Sequence, residues 1–211
     1  MSIAFTANAN WKDAATNIAA SKTPVTLTDN ANPVMVSSAT MEVNGTYRAQ
    51  VIFSETLSGS QLPGMSLSGS STYTGAVTLI SPRIYQLITG DSTSTDTSRT
   101  FALSYASSGG LVDPSGNPLA AITARSVTDG VPPKILSKTT ADTNKDGKID
   151  AISVIFSENL NASLGGLSAI IGGYTASGVT ASGATVNIGV VPLSLPDSSA
   201  TPAVQLTNTT L

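Results

Sequence analysis

The run Asp142-Thr-Asn144-Lys-Asp146-Gly147-Lys148-Ile-Asp150 sets side-chain oxygens at its positions 1, 3, 5 and 9, a glycine at 6 and the Lys148 carbonyl at 7. This is the spacing of a Ca²⁺ loop, because alternate residues of a tight turn point inward and a hard cation takes oxygen ligands. Gly147 permits the sharp bend, which needs φ > 0. Position 12 is Ser153 rather than glutamate, and the flanks read as strands rather than helices. The expectation is therefore a calcium-binding β-hairpin, with Asp142, Asn144, Asp146 and Asp150 as side-chain ligands and Lys148 through its carbonyl. The other reading is a solvated turn, since Asp and Asn favour turns without any ion.

Much other chemistry is excluded by what is missing. The 211 residues include no His and no Cys. That removes Ser-His-Asp and Cys-His nucleophile systems, zinc sites of the N/S type, His-ligated haem and disulfides. Ser21-Lys22 and Ser137-Lys138 are neighbours at linkers, not a pocketed Ser–Lys pair, so no catalysis is expected. Ten Lys and Arg against 13 Asp and Glu, with no basic cluster, make a poor nucleic-acid binder. The apolar runs fall far short of the roughly 20 residues of a membrane helix. Met1-Ser2-Ile3-Ala4-Phe5 is not a signal peptide, so an exported precursor would extend upstream.

The elements that must position these residues read as strands. Ser, Thr, Ala, Gly and Val dominate, helix formers are scarce, and 18 Gly and 11 Pro punctuate the chain. Low net charge and positive mean hydropathy argue against disorder. Segments such as Arg83-Ile-Tyr-Gln-Leu87 and Phe101-Ala-Leu-Ser-Tyr105 alternate with period two, as half-buried strands do. Strands are predicted over residues 34–43, 47–53, 65–68, 73–80, 83–89, 100–105 and 119–127. Asn44-Gly45 sits at the first hairpin and predicts a type I′ turn.

Self-comparison organises the whole chain. At a shift of 100, Thr28-Asp29 falls on Thr128-Asp129, Pro33 on Pro133, Trp11 on Leu111, Asp13 on Asp113 and Asn17 on Asn117. Beyond residue 140 the shift becomes 103, so that residues 51–55 (Val-Ile-Phe-Ser-Glu) land on the identical 154–158 and Tyr85 on Ile188. The expected organisation is 1–31 as the C-terminal strands of one unit, 32–131 as a complete unit and 132–211 as a unit lacking its last strand. Units of about 100 residues made of short strands suit an immunoglobulin-like β-sandwich, so the fold class is all-β with tandem sandwiches. Residues 128–133 (Thr-Asp-Gly-Val-Pro-Pro) form a short, proline-stiffened linker that predicts a semi-rigid angle. The first unit, three residues shorter across this stretch (the change of shift from 100 to 103), has Glu42-Val43-Asn44-Gly45 in its place, which shows that the hairpin can close without metal. Trp11, aligned with Leu111, is expected to pack in a core or at a sandwich end.

The order Pro-Pro-x-Ile, then Val-Ile-Phe-Ser-Glu, then Asp113-Pro-Ser-Gly116-Asn117-Pro-Leu119-Ala resembles the bacterial Ig-like repeats of S-layer proteins and large surface adhesins. The resemblance implies an exported, multi-repeat structural protein at the cell surface.

Glu55 and Glu158 occupy one position of successive units. They would lie roughly 40 Å apart, whereas glycosidase carboxylates sit within about 10 Å. Glu55 instead belongs with Asp29, Asp113 and Asn117. The strand before it ends beside the incoming linker and the loop before the last strand, which predicts a second cation site at a domain junction. The alternative is an Asx/Gly turn at Asp113, a cap at Asp29 and a solvated Glu55. Asn44-Gly-Thr46, Asn161-Ala-Ser163 and Asn208-Thr-Thr210 match the glycan acceptor pattern, which a Ser/Thr-rich chain meets by chance.

The expected function is a structural cell-surface segment, an S-layer or adhesin stalk stiffened by Ca²⁺. Its expected partners are further copies or neighbouring repeats, with glycan or cell-wall contact. An extracellular binding module and an accessory region of a secreted hydrolase are the alternatives. At the ends, Met1 corresponds to Phe101 and Val204, and Leu211 to Ser108. Either the chain is a segment of a longer array, or residues 1–31 of one molecule complete residues 132–211 of the next by strand donation.

Overall fold

In the segment Thr46–Phe53 every second side chain (Tyr47, Ala49, Val51 and Phe53) is buried and those between are half-buried, the pattern of a strand with one face on a core. The computed structural model describes residues 2–8, 10–70, 73–161 and 167–208. Among them there is no α-helix. Residues 162–166 and 209–211 lie outside the described set, and with them two of the glycan-pattern positions, Ser163 and Thr210. Met1 and Leu211, used above to place the chain ends, also lie outside it.

Strands β1 (Ser2–Phe5) and β2 (Lys22–Thr26) pair with each other antiparallel. Strands β3 (Met35–Val43), β4 (Thr46–Phe53), β6 (Val77–Ser81) and β7 (Ile84–Ser92) form a four-stranded antiparallel sheet in the order β3-β4-β7-β6. Strands β5 (Met65–Ser68), β8 (Ala102–Tyr105) and β9 (Ile122–Ser126) form a three-stranded sheet in that order. One buried cluster, with Val51, Phe53, Tyr85 and Leu87 from the first sheet and Leu67, Leu103 and Tyr105 from the second, joins the two face to face as a sandwich. Phe53 meets Tyr85 and Tyr47 meets Phe101 edge-on, with ring centroids 5.8 and 5.7 Å apart.

The second half has the same plan. Strands β10 (Ile135–Ala141), β11 (Ala151–Phe156), β13 (Thr175–Ser182) and β14 (Thr185–Val191) form a sheet in the order β10-β11-β14-β13. Strand β12 (Leu167–Ile171) pairs with β15 (Val204–Asn208) in a two-stranded sheet. Ile152, Val154, Val186 and Ile188 are buried between the sheets.

The Asn44-Gly45 turn has φ of +53° and +77°, as type I′ requires. Gly45→Ala puts a Cβ into the left-handed region and should lower stability by about 1 kcal/mol. A shifted urea midpoint at constant slope would show it; an unchanged midpoint would mean that the turn relaxes freely.

Two sequence expectations need correction. Val51 pairs with Tyr85, whereas Val154 pairs with Val186. Tyr85 thus corresponds to Val186 rather than Ile188, because the stretch between the two strands is two residues shorter in the second half. The error preserves the strand phase, so the buried face is still the apolar one. Trp11 is 61 % exposed, whereas its counterpart Leu111 is 3 % exposed. Leu111 is covered by a facing sheet, and β1–β2 has none among the described residues.

Candidate functional site

Asp113 sits in a loop that its own side chain builds. One carboxylate oxygen accepts the main-chain N–H groups of Ser115 and Asn117, both at 2.8 Å, and the other accepts the Asn117 side-chain amide at 2.8 Å. Gly116, at φ +93°, makes the turn possible. The residues 13–17 loop repeats these bonds at 2.9 Å, with Thr16 at φ +69° in the glycine's place. Ser58, just past β4, ties the Asp113 loop to that strand's end: its N–H donates to the Val112 carbonyl at 2.7 Å and its hydroxyl to the Asp113 carbonyl at 2.9 Å.

This docking brings Asp113 beside Glu55, and the linker supplies Asp29. Carboxylate oxygens of Asp29, Glu55 and Asp113 all lie within 4.8 Å of one another. The Asn117 side-chain amide also reaches the Asp29 carbonyl at 3.4 Å, so Asn117 serves the cluster as a donor that orients it. Asp113 is 1 % exposed. Desolvation pushes the Glu55 carboxyl above the ordinary range, and the neighbouring charges of Asp29 and Asp113 push it further. Burial pulls the Asp113 carboxyl upward too, but the hydrogen bonds from Asn117, Ser115 and Gly116 outweigh it and hold the group low. Three converging carboxylates repel unless a proton or a cation compensates them, and the oxygens suit a hard cation. All four residues that the sequence proposed for this junction meet here.

The 142–150 loop is closed by its own acidic side chains. Asp142 accepts the amides of Asp146 at 3.1 Å and Gly147 at 2.8 Å, Asn144 accepts that of Asp146 at 3.0 Å, and Asp146 accepts that of Lys148 at 3.0 Å. Asp150 accepts both the amide and the hydroxyl of Thr143, which holds its carboxyl below the ordinary range. Gly147 has the expected positive φ, +82°, and Lys145 joins it at +63°. Among the described residues, the carboxylates of Asp142, Asp146 and Asp150 do not come together within 4.8 Å of one another as those of Asp29, Glu55 and Asp113 do, so here the loop is held by hydrogen bonds to its own backbone.

Sequence reasoning missed Asp197. Its carboxylate accepts the Ile149 amide at 2.8 Å and the Tyr174 hydroxyl, and its own amide donates to the Gly147 carbonyl at 2.8 Å. The hydrogen bond to Asp197 pushes the Tyr174 hydroxyl upward. A contact spanning 48 positions in a loop leaves no local signature.

Between the two sandwiches, Thr97 donates to Glu158 at 2.7 Å, and Lys134 donates to Thr93 at 3.1 Å while pairing with Glu42. The linker is clamped as well: Gly130 donates its amide to the Thr40 hydroxyl at 2.9 Å, and that hydroxyl donates to Asp129 at 3.1 Å. Lys134 holds the Glu42 carboxyl below the ordinary range. A carboxyl lowered in the fold stabilises it above its unfolded pKa, and that contribution is lost as pH falls through the folded value. Acidifying well below the ordinary glutamate pKa of about 4.3 should therefore release Lys134 from Glu42, so that the halves tumble more independently in NMR relaxation. Unchanged rotational anisotropy would mean that the pair does not hold the junction.

Comparison with known proteins gives one curated similarity. Over 85 residues, 40 % of this chain, the sequence is 42 % identical to the "Outer cell wall protein" of Brevibacillus brevis. The chain spans only 8 % of that protein's length. No family model matches the chain, and no solved structure matches it. Among the described residues, no helix is long and apolar enough to cross a membrane.

Proposed function

We propose that this chain is a stretch of tandem Ig-like sandwich units in a structural protein of the bacterial cell surface, an S-layer or adhesin stalk, with its joints stiffened by Ca²⁺ and no catalytic role. The observation that carries this reading is recurrence in space. The order β3-β4-β7-β6 returns as β10-β11-β14-β13, and the β8–β9 pairing returns in β1–β2 with each partner displaced by 100 positions. The similarity to an outer cell wall protein supports the location. The resemblance to S-layer and adhesin repeats supports the architecture.

Calcium has two places in this reading. The 142–150 loop would use Asp142, Asn144, Asp146, Asp150 and the Lys148 carbonyl. The junction would use Asp29, Glu55 and Asp113, with Asn117 as their orienting donor. A cation there ties the linker to both the strand end and the loop of the following unit, so binding resists bending at the joint.

Small-angle scattering of the whole chain with calcium and with a chelator tests the proposal. The expected result is an extended, narrow distance distribution with calcium that broadens on chelation. A distribution indifferent to calcium would remove the stiffening role, and a compact, near-spherical particle would remove the stalk.

A further inference from the structure

We propose that two copies of this chain associate side by side through the free edge of β6, which pairs with β6 of the second copy about a twofold axis at Thr78. The choice of a second copy rests on the structural surface reading above, in which copies of the chain are one another's neighbours, and adds a specific lateral contact.

The edge lies in the first sandwich. Strand β6 has β7 on one side and nothing described on the other. Its main-chain groups divide between the two sides. The Ile88 amide donates to the Ala76 carbonyl at 2.9 Å, and Thr78 pairs with Gln86. Hydrogen-bonded pairs alternate along an antiparallel ladder, so Thr78 turns its N–H and C=O towards β7 while Val77 and Leu79 turn theirs outward. Among the described residues no main-chain group meets them there.

The side chains make this edge adhesive. Val77 packs against the buried cluster, but Leu79 and Ile80 are 40 % and 50 % exposed. Sheet edges are usually blunted by charge, above all lysine, or by proline. Strand β6 reads Val-Thr-Leu-Ile-Ser and has neither. The matching edge of the second sandwich, β13, is different. Thr180, paired with Asn187, corresponds to Thr78, paired with Gln86, and Ala181 stands where the first sandwich has Leu79. Its backbone is equally free, but it offers little apolar surface to bury.

The edge of β6 is complementary to itself. With Thr78 on the axis, Val77 of one copy and Leu79 of the second copy exchange both N–H···O=C bonds, and symmetry repeats the exchange. Every outward group of the two residues is then paired. Val77 lies opposite Leu79 on the core-facing side and Thr78 opposite Thr78 on the outer side, both favourable cross-strand pairs. An axis at Val77 would leave Leu79 opposite Gly75. An axis at Leu79 would leave Val77 opposite Ser81, past the register shift between Leu79 and Ser81. Burial of Leu79 and Ile80 adds the hydrophobic driving force. The contact is isologous and closes at two copies.

The chain has no cysteine, so single-cysteine variants of the whole chain can read the axis. Residues facing each other in a pair without hydrogen bonds have Cα atoms about 4.5 Å apart, within disulfide reach. Under mild oxidation, Thr78→Cys chains should form a disulfide dimer in roughly tenfold or greater yield than Thr180→Cys chains. Thr180 is exposed and Thr78 half-buried, so accessibility alone would favour the control. Equal yields, or more dimer from Thr180→Cys, would overturn the proposal. Sedimentation gives a second reading without cysteines: the unmodified chain should dimerise with rising concentration, and Leu79→Lys should not. Leu79 is already partly in solvent, so circular dichroism should show an intact fold in that variant. A chain that stays monomeric to millimolar concentration, or a Leu79→Lys chain that dimerises as well as the wild type, would also overturn it. Failure here with extended, calcium-dependent scattering removes only the lateral contact. Crosslinking at Thr78 in a chain that scatters as a compact particle leaves the contact standing and removes the stalk.

Discussion

Chelating calcium should lower the melting temperature of the second sandwich by roughly 10–20 °C. A site loaded at 100 times its dissociation constant stabilises the folded state by about 2.7 kcal/mol, and about 1 kcal/mol moves the midpoint of a domain this size by 4–8 °C. The loop joins β10 to β11, and Asp197 anchors it to the segment before β15, so an ion there holds three parts of one sandwich. Asp146→Ala should reproduce the chelated melting temperature and show no further loss on chelation. Its hairpin should still close, because β3 and β4 close theirs with Asn44-Gly45 alone. Calorimetric titration with no heat and no melting shift in the wild type would sink the assignment and leave the loop as a hydrogen-bonded turn.

The strands of the first sandwich were legible because their chemistry is local. Alternation in 83–87 and 101–105 places Tyr85, Leu87, Leu103 and Tyr105 on a buried face, and the structure puts them at 0–2 % exposure. Asn-Gly names its own turn. The junction cluster was legible at second hand: once the chain was folded onto itself by the repeat, the ends of known strands and loops placed Asp29, Glu55 and Asp113 together. What escaped depends on distance or on insertions. Nothing near Asp197 announces that it will receive the Ile149 amide. The shorter path from Phe156 to Val186 hides a two-residue offset, because Val, Ile and Tyr satisfy an alternating strand equally well. Trp11 misled for another reason. Its position in the repeat is a core position, but a core needs a second sheet, and burial is a property of the assembled sandwich rather than of the strand that carries the residue.

Glu55→Gln should reverse the sign of its effect when calcium is added. Without the ion, Asp29, Glu55 and Asp113 crowd three carboxylates within 4.8 Å, and removing one charge relieves that repulsion. The variant should then melt above the wild type, with slower amide exchange in β4 and in the residues 111–119 loop. With saturating calcium the wild type gains the binding free energy and the variant, short of one charged ligand, gains less, so the order inverts. Glutamine keeps the size and one oxygen of glutamate, so packing cannot produce the inversion. Asp113→Asn is the matched control. Its new amide would face the Asn117 amide that Asp113 now accepts, donor against donor, so the loop should weaken with and without calcium. If Glu55→Gln has the same small effect in both conditions, the cluster is an Asx turn with a neighbouring solvated glutamate, and calcium stiffening is confined to the 142–150 loop.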